Sequence, residues 1–243
     1  MKRSLSPFLS VLIAILFLGC ASYKDQKQRN ALSFPEIGSV ISQKDVLWHK
    51  NTSQVGTPKW ADPLTITVQE LPFNIRSYGI YAKYMANAGK INSIAFVDSL
   101  PYKPKYLRLE IADKMELVDL LNSSENNNVR NYLATNSMHK LVTSWNITLP
   151  DALIAKLLSA TQVTLCEDSR WGKHFLFTTG KQEERLPFSE IQVFDYETAT
   201  FCWGEDRYHR KKIKALLPEG TNCPKGTFKK ADKVESDKSY LKF

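Results

Sequence analysis

The stretch KYLRLEIADKMELVDLL, residues 105 to 121, changes its apolar spacing partway along. Its first part alternates between apolar and other side chains, as a half-buried strand does. The apolar set is Leu107, Leu109 and Ile111. After Asp113 the apolar residues recur with helical spacing: Leu117, Leu120 and Leu121. Asp113 also stands three residues before Glu116, as in a capping box. A strand that leads directly into a helix predicts a fold of mixed α and β structure.

Other segments repeat the strand pattern. LTITVQ, residues 64 to 69, alternates cleanly, and INSIAFVD (91–98) and HKLVTSWNITL (139–149) have strand character. The last third contains four short strand-like runs separated by turn-rich pieces: TQVTLC, KHFLFTTG, EIQVFDY and TATFCW. Short strands in close succession favour a mostly antiparallel sheet.

Four segments have helical character. They are residues 74–90, which contain the spaced set Tyr78, Tyr81, Tyr84 and Met85, residues 114–121, VRNYLATN (129–136), and the segment opened by Pro150. A further helix is predicted from Asp206 to Leu217, with its basic residues in one outer row. Gly79 weakens the first of these segments and residues 129–136 would form only a short helix. We predict an α+β fold with a mostly antiparallel sheet and two to four helices. It is predicted as a single domain over residues 34–228, with two lobes, or a second domain starting near Met138, as alternatives.

The N-terminus has the parts of an export signal. Lys2 and Arg3 give a positive start, and SPFLSVLIAILFLG, residues 6 to 19, is apolar but shorter than a comfortable membrane span. This pattern predicts a signal peptide over residues 1–19.

The apolar run ends in Phe17-Leu18-Gly19-Cys20, which resembles the lipobox of bacterial lipoproteins. Phe17 and Leu18 depart from the residues usual there, whereas the Gly19-Cys20 pair matches. The resemblance implies cleavage after Gly19 and acylation of Cys20, so that membrane lipid is a partner of the N-terminus. An ordinary secretory signal beside a cysteine is the alternative. The lack of aspartate after Cys20 favours, by the same resemblance, the outer membrane facing the periplasm.

The two ends of the chain have little apolar pattern. Residues 20–33 are mostly polar and are predicted to be a lipidated N-terminus followed by a flexible tether. Residues 229–243 mix lysines with acids and are predicted to be a disordered basic tail.

The chain is basic, with a formal net charge of +8. An exported, lipid-anchored protein rarely meets nucleic acid, so no nucleic-acid partner is expected. Anionic headgroups, a cell-wall component or an acidic envelope protein are the expected counterparts.

Three cysteines follow Cys20, and export would place them where disulfides persist. Three thiols allow three pairings, and sequence alone does not choose among them. Cys202 with Cys223 is favoured because the bond would tie back the loop GTNCPKG; Cys166 with Cys202 is the alternative.

Two stretches concentrate residues that can perform chemistry. TLCEDSRWGKHFLF (164–177) contains Cys166 and His174, and TFCWGEDRYHRKK (200–212) contains His209. A catalytic thiolate would need a nearby base, yet turns and a helix N-cap at Asp206 explain the same residues. No catalytic residue is therefore assigned.

Other site types have weaker patterns. The histidines are far apart and no C-x-x-C pair occurs, so neither a metal site nor a cofactor is predicted. Asp195 and Glu197 could serve glycoside hydrolysis, but strand alternation or a hairpin turn explains them as well. The tyrosines at 78, 81 and 84 could stack on sugars, but packing is the plainer interpretation.

One surface is singled out as a contact candidate: Arg207, Arg210, Lys211 and Lys214. It would meet anionic headgroups or an acidic partner. The sequence as a whole predicts a lipid-anchored envelope protein that acts as a binding or assembly module, and not as an enzyme. A cell-wall or polysaccharide hydrolase is the alternative.

Overall fold

The computed structural model describes residues 34–46, 49–60 and 62–236. The predicted signal peptide, Cys20 and the predicted tether lie outside these residues, as do residues 237–243. Within the described chain, no helix has the length and hydropathy needed to cross a membrane.

In the described residues, ten strands form one open sheet in which neighbours run antiparallel. The strands are β1 (Val40–Val46), β2 (His49–Gly56), β3 (Leu64–Pro72), β4 (Lys105–Ile111), β5 (His139–Thr148), β6 (Gln162–Asp168), β7 (Gly172–Thr179), β8 (Gln182–Pro187), β9 (Gln192–Glu205) and β10 (Lys211–Pro218). Their order is β10-β9-β5-β4-β3-β6-β7-β8, and β1 pairs with β2 and with β5. The predicted mostly antiparallel sheet is confirmed.

Within the part of the chain that the structure describes, four helices of two turns or more accompany the sheet. They are α1 (Ile75–Asn87), α2 (Lys114–Asn122), α3 (Asn127–Ala134) and α4 (Asp151–Ser159), and a short helix α5 (Lys233–Ser236) follows near the end. The predicted α+β class and the four helical segments up to residue 159 are confirmed.

The helices cover both faces of the sheet. Alternating residues of β4 point to opposite faces, so Leu107 and Tyr106 belong to different apolar clusters. The larger cluster contains Leu107 and the buried leucines of α2, α3 and α4. The smaller cluster joins Tyr106 and Phe194 to Tyr81 on α1. The sheet is thus an internal layer with α1 on one side.

Local signals explain where two helices begin. Asn74 caps α1, because its side chain accepts from the Ser77 N–H while the Ser77 hydroxyl accepts from the Asn74 N–H. Asp113 caps α2 by accepting from the N–H groups of Met115 and Glu116 at 2.8 and 2.9 Å. The helix start predicted at Asp113 is confirmed.

Three sequence predictions of regular structure are wrong. INSIAFVD forms no strand, and its Ile94 and Phe96 pack against α1 instead. EIQVFDY, from Gln192 onward, and TATFCW belong to one long strand, β9, so no hairpin turn separates them. The helix predicted from Asp206 to Leu217 is a turn followed by β10.

The β10 error has a clear cause. A β-bulge shifts the register between Ile213 and Ala215, so Lys214 is an extra residue in the strand. The bulge places the buried side chains of Ile213 and Leu216 three residues apart. Apolar residues three positions apart are typical of a helix, and the sequence pattern therefore predicted a helix here.

The C-terminal segment is ordered further than predicted. Ala231 and Val234 are 3% and 5% exposed and belong to the larger apolar cluster. The disorder predicted from Lys229 is therefore wrong up to Ser236, because these two apolar residues were enough to dock the segment on the sheet.

Candidate functional site

A groove of about 780 Å³ lies between α2, the β9–β10 turn and strand β10. Its cations are Lys114, Arg207, Arg210, Lys212 and Lys214, and its acids are Asp119 and Asp206. This groove is the candidate functional site because it gathers positive charge from three separate elements.

The turn at one end of the groove is built around Asp206. Its carboxylate accepts hydrogen bonds from the N–H groups of Tyr208 and Arg210 at 2.8 and 3.0 Å, and from the Arg210 Nε at 2.9 Å. These bonds, that of the Arg210 N–H first, lower the pKa of Asp206 to about 2. His209 adopts a positive φ of 60° in the same turn. The charge of Asp206 is therefore already used to hold the turn.

The turn presents an aromatic ring between two cations. The Tyr208 side chain is 60% exposed, with the guanidinium of Arg207 at 4.8 Å and that of Arg210 at 5.1 Å from its ring centroid. Cation–π attraction of this kind orders both arginines at the mouth of the groove.

Lys212 lies deeper, where cations are crowded. Its Nζ donates to the carbonyl oxygen of Asn122 at 3.1 Å. Burial and, after it, the positive charges of Arg130 and Arg210 lower the pKa of Lys212. Because these like charges repel one another, a bound anion would relieve their repulsion.

Lys214 is the cation that the bulge turns outward. A Cβ built on Gly204 would lie 2.9 Å from Lys214 Cγ, so the lysine stem runs over a position that has no side chain. Lys214 is exposed, and no carboxylate of the described residues forms an ion pair with it. The free ammonium is thus available to a ligand.

Three of the four residues of the predicted basic row lie in this groove. Arg207, Arg210 and Lys214 line the groove, whereas Lys211 does not, and the row lies on a turn and a strand instead of a helix. Lys212 also lines the groove, and it lies outside the predicted row because that row follows helical spacing. Lys114 was not predicted either, since only the fold brings α2 beside β10.

The disulfide forms between Cys202 and Cys223, as favoured. Cys166 is free, so its alternative pairing with Cys202 is wrong. The bond ties the loop after β10 to β9, next to the Trp203 backbone, which pairs with Phe228.

Cys166 and His174 face each other across the β6–β7 hairpin without forming a catalytic pair. The His174 Nδ1 donates to the Gly172 carbonyl at 2.9 Å, and its Nε2 lies 3.8 Å from the Asp168 carboxylate. The Cys166 thiol lies 3.5 Å from the Thr164 hydroxyl. In the described chain no hydrogen bond joins this thiol to an imidazole.

His209 is also apart from this thiol. It lies in the β9–β10 turn, where its Nδ1 is 3.0 Å from a Glu205 carboxylate oxygen. His174 and Asp168 lie at the β6–β7 turn and His209 and Asp206 at the β9–β10 turn, whereas Cys166 is a free cysteine within β6.

Asp195 and Glu197 lie on one face of β9, beside Arg108 of β4. Asp195 accepts from the Tyr196 N–H at 2.9 Å and from Asn146 Nδ2 at 3.2 Å, and burial raises the pKa of Asp195. Glu197 forms an ion pair with Arg108. Strand alternation, one of the two plain explanations, accounts for their shared face.

The tyrosine set of α1 is engaged in packing. Tyr81 is buried, and the Tyr78 ring stacks on Phe96 with centroids 4.7 Å apart. The Tyr84 ring lies 5.4 Å from that of Phe34, where the described chain begins. These contacts leave no open row of rings for a sugar on this helix.

No three histidine, cysteine or carboxylate side chains of the described residues gather as metal ligands would. Comparisons with protein-family models, with curated proteins and with solved structures find no match to this chain.

Proposed function

We propose that this chain is a lipid-anchored protein of the bacterial cell envelope, held in the outer membrane and facing the periplasm. Its single α+β domain acts as a binding or assembly module for an acidic protein partner. The lipid anchor rests on the resemblance of Phe17-Leu18-Gly19-Cys20 to a lipobox. The Cys202–Cys223 disulfide suits an oxidising compartment and so supports export.

The basic groove is the observation on which the binding role rests. Five cations and two acids line it, with Arg210 paired to Asp206 and Lys114 paired to Glu110. Among the described residues, Arg207, Lys212 and Lys214 form no ion pair with a carboxylate. Concentrated charge of one sign in a concave surface attracts a partner of the opposite sign and speeds its association.

The other side chains of the groove favour a protein as the partner. Tyr208 and Met115 are 60% and 79% exposed at its rim. Tyrosine, methionine and arginine are enriched at protein interfaces, where tyrosine and arginine often dominate the binding energy.

Cross-linking in intact cells, with the native lipoprotein as bait, tests this proposal. We expect one stoichiometric envelope protein to co-purify with the wild type and to be lost from the double variant Arg207→Glu/Lys214→Glu. Lys181→Glu is the matched control, because Lys181 is exposed in the distant β7–β8 turn. Equal recovery from all three proteins would rule out the groove as the contact surface.

Binding of the basic groove to anionic lipid headgroups is tested by a separate measurement. A soluble form beginning at residue 21 is mixed with vesicles of increasing anionic lipid content. We expect weak binding that does not depend on Arg207 or Lys214. Binding that rises with anionic lipid and falls in the double variant would replace the protein partner with a membrane surface.

The alternative function is hydrolysis of cell-wall or polysaccharide material. What favours it is that two carboxyl groups share one face of β9: Asp195, whose pKa is raised by burial, and Glu197, which forms an ion pair with Arg108. Release of soluble fragments from purified peptidoglycan by the wild type, but not by Glu197→Gln, would establish it. Absence of release by the wild type would remove it.

A further inference from the structure

The basic groove has a sheet edge as one of its walls. β10 is the end strand of the sheet, and among the described residues it pairs with β9 alone. The residues from Ile213 to Leu216 line the groove. A strand edge carries unpaired N–H and C=O groups, which can accept another strand.

One side chain already occupies the position of a neighbouring strand. Asn122, at the end of α2, donates from Nδ2 to the Ile213 carbonyl at 2.7 Å and accepts from the Ile213 N–H at 3.1 Å. This pair of bonds is the one that a strand residue would make. The outer groups of Ile213 therefore point into the groove and accept an amide partner.

The register locates the next outward groups. Ile213 lies opposite Trp203, whose own N–H and C=O bond to Phe228 on the far side of β9. In an antiparallel pair, residues whose N–H and C=O point away from the partner strand alternate with residues whose N–H and C=O bond to it. Ile213 is of the first kind. The bulge at Lys214 shifts the alternation by one residue, so the next outward N–H and C=O belong to Leu216. In the described part of the chain, no backbone group outside the strands bonds to Leu216.

We propose that an extended acidic segment of the partner protein adds to the sheet along β10, with its backbone bonded at Leu216. This inference rests on the proposed function, because it specifies how the acidic partner occupies the basic groove. Main-chain hydrogen bonds to Leu216 would fix the segment, and its carboxylates would meet the ammonium groups of Lys212 and Lys214. Asn122 would set one end of the added strand, since Ile213 is already bonded.

The charge of the edge selects this occupant over a second copy of the chain. Lysines on an edge strand prevent pairing with a like-charged edge. Two copies of β10 would bring together the lysines at 211, 212 and 214 of each. An acidic strand meets attraction where a second β10 meets repulsion.

Backbone methylation of a peptide tests strand addition separately from charge. The probe is a capped octapeptide of alternating valine and glutamate, titrated into the full chain purified in detergent. Two further peptides have N-methyl groups on alternate residues. In one the methyl groups block the N–H groups along one edge of the extended peptide, and in the other they block those along the opposite edge. Both peptides keep all charges of the parent. We expect one methylated peptide to bind about tenfold or more weakly and the other to bind as the parent does. The Leu216 amide should exchange more slowly with deuterium when the parent is bound.

Groove variants separate this inference from the proposed function. Lys214→Glu should weaken the parent peptide about tenfold, and the control Lys181→Glu should leave it unchanged. If both methylated peptides bind like the parent while Lys214→Glu weakens binding of the parent, strand addition is wrong and the basic groove remains the binding surface. If methylation weakens peptide binding and Lys214→Glu does not, the peptide adds to β10 but the charge of Lys214 does not contribute to its binding. If the parent does not bind at millimolar concentration, strand addition of an acidic segment is wrong, and the basic groove is then decided by the cross-linking of the double variant.

Discussion

The side chain of Asn126 joins two distant parts of the chain. It is 0% exposed, and it accepts from the Lys59 N–H at 2.8 Å. Its Nδ2 donates to the carbonyls of Lys59 and Leu120 at 2.8 and 3.0 Å. These three bonds hold the β2–β3 connection against the junction of α2 and α3. Asn126→Ala removes all three.

The expected loss is about 3 kcal/mol, because each of the three bonds contributes about 1 kcal/mol net. The carbonyl and N–H of Lys59 would also lose their partner, which adds to the cost where water does not reach them. Asn128→Ala is the matched control, since Asn128 is exposed in the first turn of α3. Alanine is the better helix former, so this control should gain about 0.5 kcal/mol.

Urea unfolding followed by tryptophan fluorescence measures both changes. With a slope of about 2 kcal/mol/M, the midpoint for Asn126→Ala should fall by about 1.5 M, while that for Asn128→Ala should rise slightly. Equal midpoints for the two variants would refute the reasoning, because the bonds of Asn126 would then contribute nothing beyond an exposed asparagine.

Three further predictions concern separate parts of the chain. Cys223→Ser should destabilise the protein by about 3 kcal/mol, since the Cys202–Cys223 bond closes a loop with a sequence separation of 21; an unchanged thermal midpoint would contradict this. Burial raises the pKa of Asp195, so its contribution to stability is lost as pH rises from the unfolded pKa through the folded one. Asp195→Asn should therefore be more stable than the wild type at neutral pH and converge with it in acid, as chemical denaturation at several pH values would show. Cys20→Ser should leave the precursor uncleaved on an immunoblot, whereas a processed, soluble product would remove the lipoprotein assignment.

Much of the local structure could be predicted from the sequence. LTITVQ is a strand with its apolar side inward, with Leu64 and Ile66 1% and 4% exposed. The change of period at Asp113 marks the start of α2, because strand and helix have different repeats and the cap satisfies the first N–H groups.

The candidate site was harder to predict. Arg207, Arg210 and Lys214 were recognised as a basic surface, but the helix assigned to them was wrong. A bulge cannot be seen in one strand, because it is defined by the register with its partner, and β9 supplied that register. Lys114 joined the groove only through the packing of α2 beside β10.

The asparagines at 126, 127 and 128 also show what the sequence leaves undetermined and the tertiary structure decides. They are identical in sequence, yet only Asn126 is buried, because the chain from Lys59 returns to that point.

By itself, the sequence determined the periods of strand and helix, the helix caps, the positive net charge and the resemblance of its N-terminus to a lipoprotein signal. These depend on neighbouring residues. The tertiary structure alone decided the strand order, the β10 bulge, the place of β10 at the end of the sheet and the crowding of cations around Lys212. Each of these depends on residues far apart in the chain, and their contacts exist only once the sheet has formed.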